Sequence, residues 1–399
     1  MKGTGLAPLR YLDTARLGRM TPAARDAQLD FVRLTAEEPS SLYFEQFLRD
    51  GFSAWPASYQ NLFPGLRSWA GVTGLKQSLR QLTQAPGDWQ VLLANRSLTL
   101  IGLAANSLFR TCRNVLTTDL SWPTYQQAIE YQATRTHNRI TSISLRDGIL
   151  RKRWSAGDIV ASITDAYARN RCDGLFLPAV DHLGVRLPIP EIIGRIRRAH
   201  ELRFCLIDAA QAFCHISLGD CLVHADFVVA GGHKWMGAGL PIGIGLFGQS
   251  RSRETIEHRL SELGRRQALA DPLLQFSEQL ATGILNGHSE TANLTSLFAC
   301  AGAAADRLMV PPFQANGGLL RVDEFLPTLR TPSPDWRPLL PVKELRTRIL
   351  LLESSNPAMR QQSSDAIRRT WLDAGSVITA YRDALVRVSL PRQETVVSS

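Results

Sequence analysis

From about residue 60 to 250, short near-continuous apolar runs alternate with longer amphipathic stretches. No other feature of the chain limits its fold as much. The runs fall at 91–94, 114–118, 139–145, 175–178, 204–207, 227–230 and 242–247, and helical patterns lie between the earlier ones at 97–110, 125–134, 157–170 and 190–202. Strands buried on both faces read as unbroken apolar runs, and parallel neighbours need a helical crossover. The expectation is an α/β chain whose large domain, residues 55–300, holds a seven-stranded, mostly parallel sheet. The last two runs follow each other without a long helix, across Gly237, Gly239 and Gly243, so that edge is expected to be antiparallel. Residues 251–300 turn polar and helical, and 310–342 are proline-rich and read as irregular connection. A helix near 363–374 and a strand near 384–390 then close a small α+β domain at 301–399, joined by the N-terminal segment 1–54.

In such a sheet, ligands gather at the carboxyl ends of the strands. One run ends in Asp208-Ala209-Ala210-Gln211 and the next leads into Gly231-Gly232-His233-Lys234-Trp235. A buried carboxylate is costly unless paired. A lysine in an apolar site is a competent nucleophile and base. Together they are what pyridoxal 5'-phosphate (PLP) requires: an amine to bond its aldehyde, and an acid to keep its ring nitrogen protonated. Each residue alone has a plainer reading. Asp208 could be a helix N-cap, Lys234 a solvated lysine and His233 a satisfied core histidine instead of a phosphate donor. Gln211 could reach the ring hydroxyl or be an ordinary loop residue.

Three further segments fit the same site. Asn95-Arg96-Ser97 joins the first strand to a helix start, where free N–H groups and the helix dipole favour an anion; serine is equally a preferred N-cap. Asp119 to Thr124 follows the second strand, and Trp122 could stack on a flat ring or simply pack. Arg387 interrupts an apolar strand, so it needs an anion, either a substrate carboxylate or a structural partner.

Bulk composition excludes several classes. The formal charge is +9, yet only Lys2, Lys76, Lys152, Lys234 and Lys343 are lysines among 45 basic residues. The arginines are scattered, and the densest run, Arg195 to Arg198, sits on a helical pattern, so a solvated face explains it better than nucleic acid. Six cysteines occur singly, with no metal-like spacing, and read as reduced thiols. No metal site is expected. Without a leader-like or membrane-length apolar stretch, the expected location is the cytoplasm, with no membrane partner. Aromatic Tyr43, Phe44, Phe52, Trp55 and Tyr59 could line an access channel or pack at an interface.

As a set, these elements resemble the class V aminotransferase branch of fold-type I PLP enzymes, which includes cysteine desulfurases and C–S lyases. Tyr11-Leu12-Asp13-Thr14-Ala15 is similar to the family's opening Y-L-D-x-A, and Asn95 to Ser97 to its phosphate loop. Trp122 takes the ring-stacking position. Asp181-His182-Leu183-Gly184 falls at an N-x-x-G-like turn near the ring hydroxyl, with His182 beside the substrate. Asp208, Gln211, His233, Lys234 and Arg387 fall in family order. The resemblance implies a homodimer with shared sites, segment 1–54 packing partly on the partner, and Thr282 reaching the neighbouring chain's phosphate, although the preceding residue is Ala281 in place of glycine.

Departures narrow the chemistry. Desulfurases need a nucleophilic cysteine in a loop after the large domain, and 305–350 contains none. The resemblance therefore ranks PLP-dependent β-elimination from an S-substituted cysteine first, in the manner of C–S lyases. Relatives in lincosamide-type antibiotic pathways, which act on S-glycosylated cysteine, suit the arginine-rich composition. Transamination is the runner-up, ahead of epimerisation or decarboxylative deamination. A non-catalytic PLP-fold scaffold is the reading from another class.

Overall fold

The structure is a computed structural model, and it describes residues 9–38, 45–265, 271–282, 292–310 and 320–390. A two-residue strand, β1 (Arg10–Tyr11), opens it. The large sheet follows: β2 (Gln90–Ala94), β3 (Asn114–Thr118), β4 (Arg139–Ile143), β5 (Gly174–Pro178), β6 (Phe204–Asp208), β7 (Phe227–Gly231) and β8 (Gly243–Phe247). Its seven strands lie in the order β2-β8-β7-β6-β5-β3-β4. All run parallel except β8, which is antiparallel to both β2 and β7. The expected antiparallel edge is therefore corrected: β8 lies one strand in, and β2 returns to form the edge. The tight glycine connection sends β8 back beside β7, leaving its far side open to β2.

Strands β5 to β8 are buried along their whole length, as their unbroken apolar sequence requires. Alternate residues serve opposite faces. Phe204, Leu206, Phe227 and Val229 enter one core with Leu100, Leu108 and Ile129. Cys205, Ile207, Val228 and Ala230 enter a larger one with Ile163, Ile193 and Phe298. Local signals set the helix starts. Ser155 and Asp158 form a capping box for helix Ala156–Arg169, and Thr21 with Pro22 starts helix Pro22–Glu37. Strand β4 stops at Ile143, short of expectation. Asp119 takes the next free amides, those of Leu145 and Arg146, and turns the chain into a short helix.

The small sheet contains β9 (Trp336–Pro338), β10 (Ile349–Ser354), β12 (Thr379–Ala380) and β13 (Leu385–Ser389), while β11 (Ser376–Val377) pairs parallel with β1. Four of these were not expected: the two-residue β11 and β12, β9, which lies inside the proline-rich stretch, and β10, which precedes the expected helix. Its alternate residues Leu350 and Leu352 join Trp336, Trp371 and Leu12 in a separate core. Ile349 and Leu351 face the large core instead.

The aromatic access channel is also corrected. Trp55 is buried and stacks on Phe47 at 4.0 Å and on Tyr59 at 5.3 Å, and Phe47 stacks in turn on Phe298. Phe52 packs against the same cluster. Apolar area outweighs any lining role there. Tyr43 and Phe44 lie outside the described residues. Among the described residues, no helix is long and apolar enough to cross a membrane.

Candidate active site

A cavity of about 380 Å³ opens at the carboxyl ends of the large sheet. It collects Arg96, Ser97, Trp122, Asp181, His182, Asp208, Gln211, His233, Lys234 and Arg387 from six separate stretches of chain. Register explains the central pair. Strands β6 and β7 are adjacent and parallel, with Asp208 opposite Val229, so both strands deliver their following residues to one end. Two of the expected residues do not line the cavity, and of these Thr282 was expected at the neighbouring chain's site. Asn95 donates its side-chain amide to Asp271 at 3.1 Å and does not line the cavity. Asp271 also accepts from the Asn95 backbone, Thr99 and Leu274, and so draws Asn95 away. Thr282 ends helix Pro272–Thr282 away from the cavity, its hydroxyl donated to the Glu278 carbonyl.

Lys234 lines the cavity, and burial lowers its amine to about 8, partly opposed by Asp208. Asp208 is 5% exposed; burial raises its carboxyl to about 6, against the pull of the Ala210 amide and Lys234. One of its oxygens accepts from Ala210 N at 2.8 Å. No helix follows β6 directly, so Asp208 caps a turn and not a helix. Both ends of the Gln211 amide are engaged, with a second N–H still able to donate. It donates to the Ala15 carbonyl at 2.7 Å and accepts from the Trp235 indole at 3.0 Å. His215 stacks on Trp235 at 3.8 Å, and its Nε2 accepts from Arg348 N, so its Nδ1 donates to the Gln211 carbonyl. This scaffold holds the residue after Lys234 rigidly from below.

The helix Ser97–Thr111 begins with Arg96 as N-cap and no side-chain cap. Ser97 instead shares a 2.5 Å hydrogen bond with the Tyr125 hydroxyl. The N-cap reading of Ser97 is therefore not realised, and the helix start keeps its positive end toward the cavity. Gly243 lets β8 pass close beneath, since a Cβ there would sit 2.6 Å from Ser97 N. His233 has its Nδ1 buried without a partner among the described residues, and burial lowers it to about 4, so it is neutral.

The opposite wall is aromatic and cationic. Trp122 is 41% exposed at the cavity, so its indole is not spent on core packing. Its ring meets His182 edge-on at 5.3 Å, and His182 meets Tyr381 at 6.0 Å. Burial, reinforced by Arg146 and Arg387, lowers His182 to about 3. Arg387 is 4% exposed. It donates to the His182 carbonyl and Thr379, and pairs with Asp13 at 3.5 Å. Arg387 lines the cavity and already has a structural anion in Asp13.

Sequence reasoning missed Tyr125, Asp13 and Tyr381. Tyr125 had a local signal, three residues beyond Trp122 on the same helix. Asp13 and Tyr381 reach Arg387 only through tertiary contacts.

The family model described as "Aminotransferase class-V" matches residues 74–264. No curated protein sequence matches the chain. Solved structures do. An alanine–glyoxylate aminotransferase from Nostoc sp. superposes with a TM-score of 0.64 at 14% identity, covering 98% of this chain and 92% of its own. The cysteine desulfurase CsdA from Escherichia coli gives 0.64 at 15%, covering 95% and 89%. The cystine C–S lyase C-DES gives 0.64 at 15%, covering 96% and 93%; a mutant of that lyase carries glycine linked covalently to its PLP cofactor. The fold is that of the fold-type I PLP aminotransferases.

Proposed function

We propose that this chain is a PLP-dependent enzyme acting on an amino acid, and that β-elimination from an S-substituted cysteine is its reaction. One observation carries the cofactor: Lys234 and Asp208, delivered by adjacent parallel strands, line one cavity with the uncapped start of helix Ser97–Thr111. The residues fit the group. Arg96, Ser97 and the helix start suit its phosphate, and Asp208 suits its ring nitrogen. Lys234 suits its aldehyde and Trp122 its flat face. Bound PLP supplies an electron sink for charge developing at the substrate Cα.

The remaining roles belong to the chain. Arg387 binds the substrate carboxylate, sharing its charge with Asp13, and so fixes which Cα bond is labile. Lys234, with a lowered amine pKa, moves the Cα proton. His182 and Trp122 exclude water from that face. The net reaction takes up one water and releases a thiol, pyruvate and ammonia.

Elimination is favoured over persulfide chemistry because no cysteine lines the cavity. All six are elsewhere, and burial pushes Cys112, Cys172, Cys205, Cys221 and Cys300 up, away from thiolate character. The likeness to C-DES, named as a cystine C–S lyase, supports the same reading. S-glycosylated cysteines of antibiotic pathways are within the proposed substrate class. A homodimer bringing Thr282 to the partner's phosphate belongs to the proposal too.

The test is incubation of the PLP-loaded protein with S-substituted cysteines, reading pyruvate and thiol. Release of both in equal amounts supports elimination. Keto-acid formation only when a second keto acid is supplied would move the assignment to transamination, the reading the aminotransferase neighbours support. Replacing Lys234 by Ala abolishes covalent retention of PLP after borohydride treatment and gel filtration.

A further inference from the structure

Asp181 is the buried acid that the proposed reaction does not use. It is 1% exposed and lines the cavity. Its Oδ1 accepts two backbone hydrogen bonds, from Leu183 at 2.9 Å and Val185 at 2.7 Å. Its Oδ2 is buried with no partner among the described residues. The turn that carries it is rigid. Asp181 N donates to the Val185 carbonyl, and the Thr347 hydroxyl holds the Gly184 carbonyl. Gly184 adopts φ +101 and approaches β10 so closely that a Cβ would lie 2.2 Å from the Ile349 carbonyl oxygen. The carboxyl therefore cannot swing out to find solvent.

An ionised Asp181 would leave Oδ2 as a desolvated, charge-bearing atom without a donor, one of the costliest arrangements in a protein interior. Protonation removes that cost and turns Oδ2 into a donor. Resting on the PLP reading above, we propose that Asp181 enters the cavity as a neutral carboxylic acid and donates the Oδ2 proton to an acceptor oxygen of the bound cofactor.

The surroundings agree. Burial is the largest influence on Asp181 and raises its carboxyl to about 7, against its backbone donors and the Arg146 guanidinium. The other titratable and charged groups around the cavity are Arg16, Arg96, Tyr125, His182, Asp208, His233, Lys234, Tyr381 and Arg387. His182 stays neutral, Arg387 is already paired with Asp13 and donates to the His182 carbonyl, and Lys234 is partnered electrostatically with Asp208. Among the described residues, no cation is hydrogen-bonded to Asp181 Oδ2 to hold it ionised.

Infrared difference spectroscopy of wild type against Asp181→Asn, each with and without PLP at mildly acidic pH, tests this directly. The expected wild-type spectrum has a protonated-carboxyl C=O stretch that is missing from Asp181→Asn and shifts when PLP binds. Equilibrium PLP affinity supplies the second reading. Asparagine keeps the two acceptor bonds and still donates, so Asp181→Asn should stay within about threefold of wild type, whereas Asp181→Ala should lose about tenfold. Three results overturn the proposal: no Asp181-dependent band, a band unmoved by PLP, or Asp181→Asn losing as much affinity as Asp181→Ala. A fourth result, Asp181→Ala lowering Tm with affinity unchanged, marks a purely turn-stabilising Asp181 and overturns it as well. Wild type that takes up no PLP sinks the cofactor reading together with this one; wild type that takes up PLP with no band shift sinks this one alone.

Discussion

At the scale of single residues, the cavity is a set of ionisable groups moved off their usual values by burial. The neutral amine is the form of Lys234 that attacks an aldehyde. Its pKa is lowered to about 8, so the rate at which apoprotein takes up PLP should rise with pH and level off above that value. Stopped-flow absorbance at constant ionic strength checks this; a rate flat from pH 6 to 9 would contradict a buried Lys234. The acids work in the opposite sense for stability. Asp181 and Asp208 have carboxyls raised from 3.8 to about 7 and about 6. In the folded apoprotein they hold protons that the unfolded chain has released. That contribution is full below the unfolded value and is lost as pH rises through the folded ones. Apoprotein Tm should therefore fall across this window, and Asp181→Asn should flatten the fall. An equal pH dependence in wild type and variant would mean that Asp181 does not titrate in that range.

Among the secondary-structure elements, two connections decide where the site residues point. The 181–185 turn depends on glycine at 184. Gly184→Ala meets both a positive φ and the Ile349 carbonyl, and should cost at least about 2 kcal/mol. Gly375 provides a control: it has φ +82 but nothing within 4 Å of a Cβ, so Gly375→Ala should cost only about 1 kcal/mol. Chemical denaturation of both variants measures the difference, and similar losses would mean that the close approach to β10 carries no energy. The entry to β7 depends on Asp226, fully buried, which accepts from Cys205 N and pairs with Arg251. Arg251→Ala leaves that carboxylate with one backbone donor. Because Arg251 is partly exposed, the loss should be about 2 kcal/mol, below that of a fully buried pair.

Across the whole molecule, residues 10–18 tie the two sheets to the cavity. Strand β1 pairs with β11, Leu12 O accepts from Ser389 N, and Ser389 Oγ accepts from Ala15 N. Ala15 O holds Gln211, and Gly18 N donates to the His233 carbonyl beside Lys234. Removing residues 1–17 should lower both Tm and PLP retention, read by calorimetry and cofactor absorbance. A truncated protein that holds PLP like wild type would show that this segment is not part of the site's support.

Much of this was legible from residue order alone, for a physical reason. A strand buried on both faces must be apolar throughout, so β5 to β8 announce themselves, and the polar residues that follow the parallel strands fall at one edge of the sheet. Lys234, Asp208, Arg96, Ser97 and Trp122 could be read in that way. Strand β9 could not, because prolines mask it and its pairing with β10 supplies the order. Tertiary structure alone decided what each polar atom does. Asn95 turns to Asp271, Gln211 is anchored by Ala15 and Trp235, Arg387 finds Asp13 across most of the chain, and Asp181 has one oxygen unpartnered among the described residues. Hydrogen bonds and desolvation depend on neighbours distant in sequence, and no local pattern of residue types encodes them.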